Sequence, residues 1–283
     1  MDTVTLDTLE MQVQQLPSLP VVVYDIMALI DAGDVDLTVL QRKVAQDQSL
    51  AARILRIANS PFYGFSGQIN TIKEAVVVLG LQPIRNLVVA AGIMKQFPAG
   101  ASRHLDPLAF WQHCIGTSIA ARVLARHCGL DKELAFTAGL LHDIGKLAFD
   151  CHFPDQYARV LEYRAEHDCH LLAAEDAVLG SNHAQAGGRL ARHWKLPPLI
   201  ASAIEHHHYP TGGDGLPLSD LIHVADAVCR GLDIGNGEYD LVPPLDGDAV
   251  ARLGVDWSEF KACLVEVEEL NQQSNLFLAE LTG

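Results

Sequence analysis

Basic residues are scarce in this chain: 20 lysines and arginines stand against 35 aspartates and glutamates, which gives a formal net charge of −15. Such an acidic chain is poorly suited to form an extended nucleic-acid groove or to bind an anionic membrane surface, and we expect neither as its main partner. A small phosphorylated ligand is still compatible with this charge. Charges beyond about 8–10 Å are largely screened at cellular salt, so a local cationic site can dominate.

Cysteine pairs and long apolar runs are also missing. The six cysteines form no CxxC pair, and we interpret them as reduced packing residues of a cytoplasmic protein. The apolar stretches 76–81 and 87–93 fall short of the roughly 18–20 residues that a membrane-spanning helix needs. The N-terminus lacks a basic segment followed by an apolar core, which argues against a signal peptide. We therefore predict a soluble, cytoplasmic globular protein.

Helical signals run along the whole chain, and nothing in it has the strict alternation of a strand. Asp36 and Thr71 are typical of helix caps, Gly80 of a helix end and Pro83 of a first turn. The pattern predicts an all-α protein with an N-terminal helical half, a second helical half, and a C-terminal segment that packs back on the body. The boundaries are residues 13–97 for the first half, 106–230 for the second and 231–283 for the C-terminal segment, with a punctuated junction near 98–106.

Histidines are abundant, 13 in all, and their placement is informative. His142 is followed directly by Asp143, at the end of a helix that we expect to begin after Asp131 and to run on to Lys146. One imidazole and one carboxylate can then reach the same cation, and Gly145 lets the chain turn without a side chain obstructing the site. Further metal-binding side chains lie on separate predicted helices, which is how helical bundles build interior metal sites. They are His113, His183, His206, His207, His208 and Asp226.

Each of these residues also has a simpler interpretation. A single histidine on an apolar helix, such as His113 or His183, is more often a packing residue than a ligand. Asp226, which alanines flank, is costly to bury unless it is paired or hydrogen-bonded, and a structural ion pair would satisfy it. Together the simpler interpretations require several independent buried polar groups. The joint pattern therefore favours a metal centre.

The residues His142-Asp143, His113 and Asp226 resemble the HD superfamily of metal-dependent phosphohydrolases. The first half resembles the narrower HDOD family of output domains in bacterial signalling, and the likeness covers roughly residues 13–230. It implies one composite module, an N-terminal helical bundle packed on an HD-type helical metal-binding core. The segments that carry it are Leu16–Pro20, Val35–Leu37, Asp47–Ala52, Arg56–Gly64, Leu79–Gly80 and Ile84–Leu87.

The ligand series is also similar to the two-metal centre of HD-GYP phosphodiesterases. That resemblance implies that His113, His142, Asp143 and Asp226 hold one metal ion. It further implies that His183, His206 and His207 hold a second, with Asp143 bridging and Lys146 contacting a phosphate oxygen. The segment His208-Tyr209-Pro210 departs from the HD-GYP pattern, which counts against cyclic di-GMP as the substrate.

Two functions follow from these resemblances. One is a phosphohydrolase or phosphodiesterase acting on a phosphoester such as a nucleotide, with Asp143 and Lys146 as catalytic residues. The other is a non-catalytic output module that binds metal or ligand and contacts a signalling protein partner. Both take one or two divalent transition-metal ions, for which imidazole-rich ligation favours Fe, Mn, Ni, Co or Zn.

Overall fold

The computed structural model describes residues 18–59, 67–97, 100–212, 216–235 and 241–282. Within these ranges the chain is all-α and contains no strand, which confirms the predicted fold class. Two compact units divide the described residues, one containing 18–97 and 272–282 and the other containing 100–271. Two parts of the family motifs, residues 16–17 and 60–64, lie outside the described residues.

The first unit is built from short helices whose ends follow the sequence signals. The Asp36 side chain accepts a hydrogen bond from the Thr38 amide at 2.7 Å, and Gly80 ends a helix with a φ of 92°, as predicted. Thr71 accepts one from the Glu74 amide at 3.1 Å. The helices are α1 (Val21–Asp31), α2 (Leu37–Val44), α3 (Gln48–Ala58), α4 (Ile72–Leu79) and α5 (Leu81–Met94).

The second unit begins with a helix of 21 residues and continues as a series of mostly shorter ones. Asp106 caps this first helix through the Leu108 amide. The chain continues from residue 106 through α6 (Pro107–His127), α7 (Lys132–Leu141), α8 (Ile144–His152), α9 (Pro154–His167), α10 (Leu171–Leu179), α11 (His183–His193), α12 (Pro198–His206), the 3₁₀ turn Pro210–Gly212, α13 (Leu216–Gly231), α14 (Gly247–Leu253) and α15 (Trp257–Thr282).

The segment around His142 differs from the prediction. We expected one helix from Asp131 to Lys146, but α7 ends at Leu141 and α8 begins at Ile144. Asp143 lies between them with φ −97° and ψ 9°, outside helical geometry. The His-Asp pair thus occupies a helix junction, where two successive side chains can approach one site.

The C-terminal segment contacts the second unit through ion pairs. Arg252 of α14 lies 2.7 Å from the Asp220 carboxylate on α13, and Arg126 of α6 pairs with Glu266 of α15 at 2.5 Å. In the part of the chain that the structure describes, every helix is too short or too polar to cross a bilayer.

A buried carboxylate organises the loop before α6. Asp150 of α8 accepts hydrogen bonds from the amides of Arg103, His104 and Leu105 at 2.9, 3.0 and 3.1 Å, and another from the Ser102 hydroxyl. Four donors converge on one side chain, so Asp150 fixes the loop that leads into α6.

We expect Asp150→Asn to lower the free energy of unfolding by about 1–3 kcal/mol, because an amide offers one acceptor atom where the carboxylate offers two and leaves buried donors unpaired. Chemical denaturation with a matched Asp155→Asn control measures this. Asp155 is 95% exposed, so its variant is expected to stay within about 0.5 kcal/mol of the parent. Equal stability of the two variants would show that Asp150 does not hold the loop.

Candidate metal centre

A close backbone contact brings α8 and α11 together at the site. A Cβ on Gly145 would lie 2.0 Å from the His183 carbonyl oxygen and 2.9 Å from the Gly187 amide nitrogen. Both are backbone atoms that cannot move aside locally. Gly145 is therefore needed because a residue without a side chain lets the backbone of α11 approach, which places His183 beside Asp143. The sequence analysis had instead given Gly145 the role of a turn.

Three side chains meet on one side of Asp143. His113 Nε2, from α6, lies 3.2 Å from His142 Nε2 and 2.9 Å from Asp226 Oδ1 on α13. Each offers one ligand atom, and these atoms lie within 4.8 Å of one another. We call His113, His142 and Asp226 the three-residue group.

Three histidines meet on the other side of Asp143. His183 Nε2 lies 3.2 Å from Asp143 Oδ1 and 2.9 Å from His208 Nε2, and His207 Nε2 lies 3.7 Å from the same Asp143 oxygen. We call Asp143, His183, His207 and His208 the four-residue group; their ligand atoms also lie within 4.8 Å of one another. The second oxygen, Asp143 Oδ2, lies 3.3 Å from His142 Nε2. The carboxylate therefore stands between the two groups.

Hydrogen bonds fix the orientation of three of these rings. The Nδ1 atoms of His142 and His207 lie 2.7 Å from the carbonyl oxygens of Gly139 and Ile204 respectively. His183 Nδ1 lies 2.6 Å from Glu175 Oε2. Each Nδ1 therefore donates, and each Nε2 is directed into the site. Metal-ligating histidines are commonly held in this way by carbonyl or carboxylate partners.

Burial and neighbouring charges shift the pKa values of the two histidines of the three-residue group in opposite directions. Burial lowers the pKa of His113 to about 4. Burial acts in the same direction on His142, but the carboxylates of Asp143 and Asp226 outweigh it and raise its pKa to about 9. At neutral pH without metal, His142 is therefore an imidazolium beside a neutral His113.

The histidines of the four-residue group also have pKa values that are shifted in opposite directions. Burial would lower the pKa of His183, but the Glu175 carboxylate outweighs it and raises that pKa. Burial and neighbouring imidazoles hold the pKa values of His207 and His208 well below the usual range. A neutral imidazole is the form that ligates metal ions.

The chemistry of these residues fits a divalent transition metal. Imidazoles and carboxylates in small clusters suit Fe, Mn, Ni, Co or Zn. Two buried acceptor atoms, Asp143 Oδ1 and His207 Nε2, have no hydrogen-bond partner among the described residues, although ligand atoms surround both. A cation between them would satisfy both atoms.

Most of the predicted site residues converge, and one does not. His113, His142, Asp143, His183, His207 and Asp226 all fall in the two groups, and Lys146 Nζ lies 2.6 Å from Asp143 Oδ2. His206 belongs to neither: it is the last residue of α12, and its Nδ1 lies 2.9 Å from the Ser202 carbonyl oxygen. His208 occupies the position that the sequence analysis gave to His206.

Two further residues of the site were missed in the sequence analysis. Arg230 of α13 places Nε 3.1 Å from Asp226 Oδ1 and Nη2 3.2 Å from His113 Nε2. Glu175 of α10 is fully buried. Both had a signal in the sequence: Arg230 follows Asp226 by four residues on a helix, and Glu175 is an acid among alanines.

A cavity of about 240 Å³ opens beside the four-residue group. His183 and His208 form one part of its lining, and three cationic side chains form another. An apolar portion completes it. The cations are Lys146, Arg164 and Arg230, and the apolar portion includes Leu171, Tyr209 and Pro243.

The chain belongs to the HDOD family, since the model of the HDOD domain matches residues 16–210. A crystal structure from Shewanella amazonensis SB2B, provisionally named a phosphohydrolase, is 26% identical with a TM-score of 0.80, and the match covers 96% of this chain and 97% of that one. An HDOD domain protein with unknown function from Geobacter sulfurreducens has the same fold, at 24% identity and a TM-score of 0.76, covering 97% and 96% of the two chains.

Curated relatives are longer than this chain. An uncharacterized protein of Treponema pallidum is 28% identical over 238 residues, which are 82% of this chain and 45% of that protein. Ribonuclease Y of Thermus thermophilus is 31% identical over 117 residues, 41% of this chain and 16% of the enzyme. The chain thus spans less than half the length of these relatives.

We expect Gly145→Ala to destabilise the protein by at least about 1–3 kcal/mol, because the added methyl group overlaps backbone atoms of α11 and must push the helices apart. Gly247→Ala is the matched control, since a Cβ there meets nothing within 4 Å. Thermal and chemical denaturation compare the two. A Gly145 variant as stable as the Gly247 variant would contradict the close approach.

Proposed function

We propose that this HDOD protein is a metal-dependent phosphohydrolase of bacterial signal transduction, acting on a small phosphoester such as a nucleotide. The observation that carries this proposal is the position of the histidine and aspartate groups directly beside a cavity lined by Lys146, Arg164 and Arg230. Metal-binding groups next to a cationic pocket suit a phosphorylated ligand. The names of two relatives, a phosphohydrolase and a ribonuclease, support the same class of reaction.

A divalent cation bound at the site would polarise the phosphoester and lower the pKa of a water molecule towards about 7, which would supply a nucleophile at neutral pH. The residues of the chain hold and orient the reactants. Asp143 and the histidines hold the cation, and Glu175 keeps His183 directed towards it through the 2.6 Å contact.

Lys146 and Arg164 line the cavity and provide the positive charge that attracts a phosphate. Lys146 is 6% exposed, so water screens its charge little. Leu171 and Tyr209 give the same cavity an apolar portion for the organic part of the ligand. The cavity volume of about 240 Å³ favours a ligand no larger than a mononucleotide over a folded RNA, in agreement with the acidic surface.

The test is hydrolysis by metal-loaded protein of a panel of chromogenic phosphomonoesters, phosphodiesters and mononucleotides. We expect turnover of at least one of these compounds. We expect His207→Ala to lower this turnover by more than about 100-fold, because losing a residue that only hydrogen-bonds to a metal ligand already lowers metal affinity or activity by about 10–100-fold.

The matched control is His206→Ala, which removes the neighbouring imidazole that faces the Ser202 carbonyl group instead of the site. It is expected to keep full activity. Equal loss in both variants would contradict the assignment of ligands. If folded, metal-loaded protein hydrolyses no member of the panel, the alternative of a non-catalytic output module with a protein partner is favoured instead.

A further inference from the structure

The two groups around Asp143 differ in the cations that already contact them. In the three-residue group, the Arg230 guanidinium lies 3.1 Å from Asp226 Oδ1 through Nε and 3.2 Å from His113 Nε2 through Nη2. Arg230 is 6% exposed. Two of the three candidate ligand atoms in this group are therefore used as acceptors by a buried, permanently charged side chain.

The oxygen of Asp143 that faces this group is used in the same way. Asp143 Oδ2 accepts from Lys146 Nζ at 2.6 Å and from Arg230 Nη2 at 3.4 Å. A metal ion entering the three-residue group would have to displace these donors and would lie next to the guanidinium. Repulsion between the two cations in a buried site would weaken its binding.

In the four-residue group, Lys146 and Arg230 contact the Asp143 oxygen that faces away from its histidines. Asp143 Oδ1 and His207 Nε2 are buried and accept no hydrogen bond from the described residues, while His183 Nε2 stands 3.2 Å from the carboxylate oxygen. A buried acceptor left without a hydrogen-bond donor destabilises the folded protein. A cation bound here recovers that cost.

We propose that Arg230 is the built-in cation of the three-residue group, so that the protein binds one divalent transition-metal ion, at Asp143, His183, His207 and His208. This inference rests on the proposed function, because it requires a metal centre. The HD-GYP resemblance implied two metal ions at this site. The proposal has one metal ion and the guanidinium of Arg230 instead. Arg230 also lines the cavity, where its charge serves as a positioning group for a phosphate.

The number of bound zinc or manganese ions per chain tests the proposal. Elemental analysis measures it in the purified protein, and calorimetric titration measures it in the apoprotein. We expect one ion per chain. His207→Ala is expected to weaken binding by more than about 100-fold, whereas His113→Ala keeps one ion with nearly the same affinity. The opposite pattern, loss with His113→Ala and retention with His207→Ala, would overturn the proposal.

Arg230→Met is expected to raise the stoichiometry towards two, because it removes the guanidinium and leaves His113 and Asp226 available. Arg126→Met is the control, since Arg126 pairs with Glu266 at the surface, and it is expected to leave one ion bound. If Arg230→Met does not fold, the two histidine variants still decide the question.

Two ions in the unmodified protein, or one ion in a folded Arg230→Met variant, would contradict the role of Arg230 while leaving the proposed function intact. A folded protein that binds no ion would contradict the proposed function together with this inference. The two failures are therefore distinguishable.

Discussion

The buried carboxylate of Asp143 is the constraint on which the site depends. A carboxylate removed from water is costly unless charges and hydrogen-bond donors compensate it, and here its two oxygens are compensated differently. One oxygen accepts from Lys146 at 2.6 Å. The other faces histidine nitrogens and accepts no hydrogen bond from the described residues. This asymmetry divides one cluster of side chains into two groups whose acceptor atoms are unequally supplied with hydrogen-bond donors.

Local signals in the sequence predicted much of the fold. Asp36 and Thr71 cap helices as expected, because a short side-chain oxygen beside free amides acts locally and needs no tertiary context. The HDOD resemblance is confirmed by the family model, and the all-α class by the helices of the described residues. The break at Asp143 was not predicted at that residue, because the sequence analysis placed the turn at Gly145, two residues later.

The set of converging side chains was predictable, except at the three consecutive histidines 206–208. His206, His207 and His208 are equivalent in the sequence, and the end of α12 at His206 decides between them. Because the backbone leaves the helix after that residue, the next two rings turn towards Asp143 and the first stays on the helix. Arg230 has the four-residue spacing of an ion pair with Asp226, but that spacing alone does not reveal that it also reaches His113.

The residues around Asp143 come from α6, the α7–α8 junction, α11, the end of α12, and α13, which lie far apart along the chain. An unfolded chain therefore offers no preassembled site, and an ion bound there would add its binding free energy to the stability of the native state. A chelator would then lower the melting temperature of the second unit, and its cooperative unfolding would depend on the supply of trace metal in the cell.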